Sequence, residues 1–146
     1  MADSSAGGMV QVLDEAECLR LVAGQEVGRI AYTGRFGPMV LPVNYRLFEG
    51  SIVFRTTQGS PMDEDLTTGI RDAEYRIAFE IDDLDPARME GWSVLIHGSA
   101  HHVTGEDELA AVAQTGVTPW AGGLRNLYMR IRPTHITGRR ITQSGG

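Results

Sequence analysis

The sequence predicts a mostly β domain, an antiparallel sheet closed into a small barrel with short helices at its ends. Three observations predict it. Strand-like segments number about seven against two or three short helical ones. They follow one another as hairpins rather than as strand-helix-strand units, which argues against a parallel sheet. The 146 residues include 18 glycines and 6 prolines, so the chain is rich in turns. Closing the sheet removes most of the edges that would otherwise invite aggregation.

The elements follow in order. Asp14 is placed to cap a helix, with Glu17 three residues on as a capping box requires. Ala16, Leu19, Val22 and Ala23 then share a helical face, Gly24 closes the helix, and Cys18 lies off that stripe. Val27–Thr33 reads as the first strand and Pro38–Phe48 as the second, with Glu49–Gly50 turning the chain into Ser51–Thr57. Pro42 inside the second strand marks an edge, a bulge or the approach of a ligand, because it has no N–H for a ladder. Gln58–Pro61 is a loop and Met62–Thr68 a short helix. Tyr75, Ile77, Phe79 and Ile81 alternate along one strand face, and Asp82–Gly91 reads as an acidic loop. Trp92–Val103 is a long central strand, Glu106–Gln114 a helix and Val117–Gly123 a loop. Leu124–Arg132 and His135–Ile141 are two closing strands joined at Pro133.

The chain is one domain, expected over residues 10–142, with a disordered segment at 1–9 and a flexible tail at 143–146. All thirteen basic residues are arginine. Without lysine, neither an internal aldimine nor a Walker A loop can form. Any bound anion must be held by arginine, hydroxyls or backbone N–H groups. A net charge of −6 argues against nucleic acid or an anionic membrane as partner. The lone cysteine suits a reducing, cytoplasmic setting, and no apolar run reaches the length of a membrane span.

The sequence contains no G-x-S-x-G, H-E-x-x-H, C-x-x-C or G-x-G-x-x-G motif. On a strand, His97 and His101 share a face and His102 points the other way, which is no metal set by itself, and none is expected. Glu80, Asp82, Asp83 and Asp85 cluster without the spacing of a calcium loop. Arg55, Thr56 and Thr57 end a strand and meet Gln58, Gly59 and Ser60. An arginine, hydroxyls and a glycine turn together make a phosphate cradle that needs no lysine. Trp92 beside Ser93 offers either a stacking plane at a ligand's edge or an ordinary core or interface tryptophan.

Taken in order, V-G-R-I-A, P-M-V-L-P-V-N-Y, I-V-F-R-T, I-A-F-E-I-D-D-L-D-P, G-W-S-V-L-I-H-G and R-I-R-P-T-H-I-T-G-R-R-I resemble the pyridoxamine 5′-phosphate oxidase-like family. The resemblance spans roughly Val12 to Ile141 and is nearest to the short nitroimidazole-reductase-like branch. It implies an FMN-binding split barrel of six to seven antiparallel strands, homodimeric, with cofactor clefts at the subunit interface. By the same resemblance Pro42, Val43 and Asn44 run along the flavin ring, and Arg55, Thr56, Thr57 and Ser60 hold its phosphate. Trp92 and Ser93 approach the ring from the interface, while Arg130, Arg132 and Arg139 lie in the closing strands. Family members often carry a lysine where this chain reads Gly59-Ser60-Pro61-Met62.

The function implied is a flavin-dependent oxidoreductase acting on a small molecule, with the redox chemistry supplied by FMN. Two alternatives differ in their ligands. A deazaflavin-dependent reductase would place its cationic groups elsewhere, since that cofactor carries a phosphodiester. A non-catalytic module would hold flavin or haem, with His97, His101, His102 or His135 as haem ligands.

Overall fold

The computed structural model describes residues 7–66, 75–123 and 125–143. In chain order these form β1 (Gly8–Leu13), α1 (Glu15–Ala23), β2 (Val27–Gly34), β3 (Gly37–Phe48), β4 (Ser51–Thr56), α2 (Pro61–Asp65), β5 (Tyr75–Asp85), β6 (Glu90–His102), α3 (Glu106–Ala113) and β7 (Leu127–Gln143). The seven strands make one antiparallel sheet ordered β1-β7-β4-β3-β2-β5-β6, and β6 pairs back onto β7 to close the barrel. β7 spans both halves of the molecule. Its start pairs with β4, its end with β1, and β6 runs along its other side from Met129 to Ile141.

Three sequence expectations are corrected here. Gly8 and Met9, expected in a disordered segment, begin β1, whose six residues pair with β7 from Gly138 to Gln143. Met9, Val10 and Val12 of β1 remain exposed, so its one buried side chain, Leu13, gave no alternating signal. Likewise Gln143 belongs to β7 rather than to a tail. Secondly, the closing segment is one strand of 17 residues, not two. Pro133 is accommodated by a bulge: His97 pairs with His135 and Gly98 with Pro133, leaving Thr134 over, its hydroxyl donating to the His97 carbonyl at 3.2 Å. Thirdly, Asp82–Gly91 is not a loop. β5 continues to Asp85 and β6 begins at Glu90, pairing from Asp85↔Glu90 inward. Acidic residues on a strand end that is wet on its outer face hide the period-2 pattern. Leu124 and the end of the expected Met62–Thr68 helix lie outside the described residues.

Other elements follow the sequence closely. Asp14 caps α1 by accepting the Glu17 N–H at 2.8 Å. Glu49 and Gly50 both have positive φ, as the two-residue turn between β3 and β4 requires. Ile77, Phe79 and Ile81 face the core from β5, as do Trp92, Val94 and Ile96 from β6. The buried face of α1 is Cys18 and Val22, rotated from the expected stripe. The buried Tyr45 hydroxyl donates to the Val22 carbonyl, tying the end of α1 to β3, and its ring meets Phe79 edge-on. Burial pushes the Tyr45 phenol well above its ordinary pKa. A second, smaller core lies outside the barrel, where Val112 of α3 and Val117 pack with Val53 and Val103.

Candidate functional site

Six of the nine cofactor residues singled out in the sequence fall in two places, Pro42, Val43 and Asn44 in one and Thr56, Thr57 and Ser60 in the other. The first is the outer face of β3. From Gly37 to Asn44 this strand pairs with β2, and from Tyr45 onward with β4. Among the described residues no strand pairs with the other side of Gly37–Asn44, so Pro42 sits beside an open backbone edge. Met39, Leu41 and Val43 pack against the core. By alternation Val40, Pro42 and Asn44 face outward, and Val40 is 62% exposed. Val43 therefore contributes packing and backbone, not an outward side chain.

Asn44 has a partner that the sequence did not reveal. Its Oδ1 accepts the Trp120 N–H at 2.7 Å, and Trp120 is 74% exposed. Nothing in the proline- and glycine-bearing 117–123 segment marks it as a neighbour of Asn44, 76 residues away. Next to Val40, the small side chains Ala31 and Ala78 oppose each other across β2 and β5. They leave a groove of about 340 Å³ with Val40, Pro38, Thr33 and Arg76 on its walls.

The same outer face carries an acid-base group. Cross-strand register places Pro42 beside Arg29, Arg29 beside Glu80, and Glu80 beside Leu95. Burial, and then the neighbouring Asp82 carboxyl, push Glu80 up to about 7, against the pull of Arg29. The Arg29 guanidinium lies 3.4 Å from Glu80 and 3.5 Å from Asp82. The sequence showed the acidic cluster, but as a loop, and so missed its place on the sheet.

The second place is the turn after β4. Thr56 is buried, and its hydroxyl lies 3.2 Å from that of Ser60. Ser60 caps α2 by accepting the Asp63 N–H. The left-handed turn at Gly59 aims its N–H at Asp63 Oδ2, 2.7 Å away, while Asp63 Oδ1 lies 2.7 Å from His102 Nε2. Asp63 is 9% exposed. Thr57 is half-buried, and its carbonyl accepts the Ser60 N–H at 3.0 Å.

Arg55 does not join them. Adjacent strand residues face opposite ways, and Arg55 lies on the outer side. Its Nε donates to the Arg125 carbonyl at 2.9 Å and its Nη1 to the Val117 carbonyl at 3.5 Å, with the guanidinium 5.1 Å from the Tyr128 ring centre. It fastens the segment that presents Trp120. Trp92, expected to approach the ligand from an interface, is in the barrel core. Its neighbour Ser93 points outward, in register with Asp82 and Arg139. Arg130 is held against Ser51, Glu108 and the Phe48 ring, and Arg132 lies 3.9 Å from Glu108.

The histidines are similarly placed by their partners. His101 lies 3.4 Å from Glu108, and His97 and His135 pair across strands with ring centres 6.2 Å apart. Among the described residues no three His, Cys, Asp or Glu side chains converge as a metal site.

A family model described as pyridoxamine 5′-phosphate oxidase matches residues 14–140. The chain belongs to the pyridoxamine 5′-phosphate oxidase family. It is 33% identical over 129 residues to the uncharacterised protein Rv0080 of Mycobacterium tuberculosis, covering 88% of this chain and 84% of that protein. Among solved structures, an FAD binding protein of Mycobacterium smegmatis superimposes with a TM-score of 0.74 at 30% identity, over 89% of this chain and 98% of that one. A heme binding protein of the same organism gives a TM-score of 0.65 at 20% identity, over 100% of this chain and 57% of that one, and shares the fold alone. Family membership and the mostly β split barrel thus agree with what the sequence motifs implied. Among the described residues no helix is long and apolar enough to cross a membrane.

Proposed function

We propose that this member of the pyridoxamine 5′-phosphate oxidase family is a flavin-dependent oxidoreductase acting on a small molecule, and that it works as a cytoplasmic homodimer. The observation that carries the reading is the open edge of β3 at Gly37–Asn44. A flavin ring has hydrogen-bonding atoms along one side and flat apolar faces. It asks for free backbone groups next to an apolar surface that admits it. Pro42 and the exposed Val40 supply that surface beside the free edge, and Asn44 fixes Trp120 close by. The 30% identity to a protein named as FAD binding supports the same ligand class.

The ring and the phosphate fit differently. The β3 edge suits a ring. The Thr56–Ser60 turn, where FMN's phosphate was expected, already commits its Gly59 N–H to the Asp63 carboxylate, and Arg55 is turned away from it. A bound flavin would supply electron transfer. The chain's own residues would orient it through Pro42 and Asn44 and hold a proton at the Glu80 carboxyl near neutral pH. The same geometry keeps the deazaflavin reading as the second choice, because that cofactor carries a phosphodiester in place of FMN's monoester.

The dimer rests on exposed apolar side chains. Val40 is 62% exposed and Leu95 37% on the outer side of the sheet, and Trp120 is 74% exposed in the segment held by Asn44, where a second copy would cover them. The test is to purify the protein, record its visible spectrum and titrate it with riboflavin, FMN and FAD while measuring its mass by light scattering. Flavin binding by a dimer is the expected result. A colourless protein with no flavin affinity at tens of micromolar overturns the flavin reading, and a monomer near 16 kDa overturns the dimer.

A further inference from the structure

The groove on the outer face carries a cation that the fold itself does not use. Its floor is Ala31 of β2 and Ala78 of β5, and its walls include Pro38 and Val40 of β3, Thr33 of β2 and Arg76 of β5. Among the described residues, none that lines it is acidic. Arg76 is exposed, and of the described arginines only it and Arg139 make no hydrogen bond or ion pair. Arg139 stands in a cross-strand row with Ser93 and Asp82 and does not line the groove. Two carboxylates in this part of the molecule already have cations. Glu80, two residues along β5 from Ala78, lies 3.4 Å from Arg29, and Asp65 lies 2.9 Å from Arg35. Ser99 of β6 stands opposite Arg76, and Thr33 shares its wall. An arginine at the mouth of an apolar trough, with hydroxyl residues on the strands to either side, offers its fork of N–H donors to a carboxylate.

We infer that this groove binds a small organic carboxylate, its charge held by Arg76 and its apolar body laid over Ala31 and Ala78. The inference rests on the flavin reading and adds to it the class of substrate. β3 links the two sites: Pro42, at the edge that takes the ring, and Val40, on the groove wall, lie about 7 Å apart along one face of the strand. A molecule in the groove is therefore a neighbour of the ring. The charge count favours a carboxylate over a phosphate. A phosphate monoester carries nearly two negative charges and asks for a second cation. The next guanidinium along this row, Arg132 beyond Ser99, is engaged with Glu108 at 3.9 Å. One arginine matches one negative charge. The groove's 340 Å³ is at the lower end of small-molecule pockets, enough for a body the size of one aromatic ring.

The experiment measures, by calorimetry on the full chain, the dissociation constants of benzoate and of benzamide, its neutral counterpart of similar shape. The variants are Arg76→Gln, Ala78→Leu and Arg88→Gln, the last removing an exposed arginine paired with Asp85 in the β5–β6 turn. Riboflavin is titrated into each protein in parallel. The wild type is expected to bind benzoate about tenfold more tightly than benzamide, the size of one charge-assisted contact at a wet site. Arg76→Gln should remove that preference and leave riboflavin affinity unchanged. Ala78→Leu, which raises the floor, should weaken both probes together, and Arg88→Gln should change neither. Arg76 has no contact whose loss would unfold the chain, so its variant reports on binding alone. A wild type that binds the two probes equally, or neither at about 10 mM, overturns the inference without any variant. A benzoate preference that survives in Arg76→Gln overturns it as well. If riboflavin binds while the benzoate preference is absent, this inference fails and the flavin reading stands. If the preference depends on Arg76 but none of riboflavin, FMN and FAD binds, the flavin reading fails while the groove's assignment to a carboxylate holds.

Discussion

Removing the Arg55 guanidinium distinguishes a loop fastener from a phosphate ligand. In the structure Arg55 makes one well-formed hydrogen bond to the Arg125 carbonyl at 2.9 Å, a longer one to Val117 at 3.5 Å, and a stacking contact with Tyr128. A hydrogen bond from a charged donor contributes roughly 1.5–3 kcal/mol and a partly exposed cation–π contact about 0.5–1 kcal/mol. The longer bond adds little, so Arg55→Ala should cost about 2–3 kcal/mol. Unfolding entropy for a chain of this length is about 0.3 kcal/mol/K near the midpoint, so Tm should fall by roughly 7–10 °C. Asn44 holds the same segment through Trp120, so the segment should loosen without detaching. Affinity for riboflavin and for FMN should then fall together, since the ring site beside Asn44 is what loosens. Thermal melts of wild type and Arg55→Ala, with titrations of both flavins, make the comparison. An unchanged Tm with a selective loss of FMN affinity would show that Arg55 serves the phosphate and would refute this placement.

Two further perturbations test the core and the outer face. A Cβ at Gly28 would lie 2.3 Å from Cε2 and 2.5 Å from Cζ of Phe79, a fully buried ring already set edge-on to Tyr45. Gly28→Ala should therefore cost about 2–3 kcal/mol as overpacking, read as a lower urea midpoint; an unchanged midpoint would mean that the strand and ring are not this close. Glu80 holds its proton up to about 7 in the fold against an ordinary 4.5. A carboxyl whose pKa is raised by folding adds stability below the lower value and loses it as pH climbs through the higher one. Relative to wild type, Glu80→Gln should gain stability at about pH 8 and show little gain at about pH 4, because the neutral amide has no ionisation to undergo. A gain of equal size at both pH values would place the effect elsewhere.

Local signals carried much of the fold. The Asp14 cap, the Glu49–Gly50 turn and the Tyr75–Ile81 alternation each depend on neighbours within a few residues, and each appears as read. The elements that were not legible had no local signature. β1 buries only Leu13 and exists because β7 is long enough to accept it. The acidic end of β5 is a strand because β6 pairs with it, despite a composition that reads as loop. Trp92 could be a stacking surface or a core residue by sequence, and only the barrel's closure decides for the core.

The candidate site divides in the same way. Pro42 in a strand announced an edge, and Gly59 announced the turn after β4, because backbone donors and φ values are written in proline and glycine. Strand alternation separates Arg55 from Thr56, but which face each one meets depends on the barrel around them. The grip of Asn44 on Trp120 and that of Asp63 on Gly59 with His102 are contacts across 76, 4 and 39 residues. The absence of lysine is fixed by sequence alone, and with it the exclusion of aldimine and Walker chemistry. Whether Arg55 can stand in for lysine was decided by tertiary structure, because a guanidinium bonded to two backbone carbonyls is held away from the turn it was expected to serve.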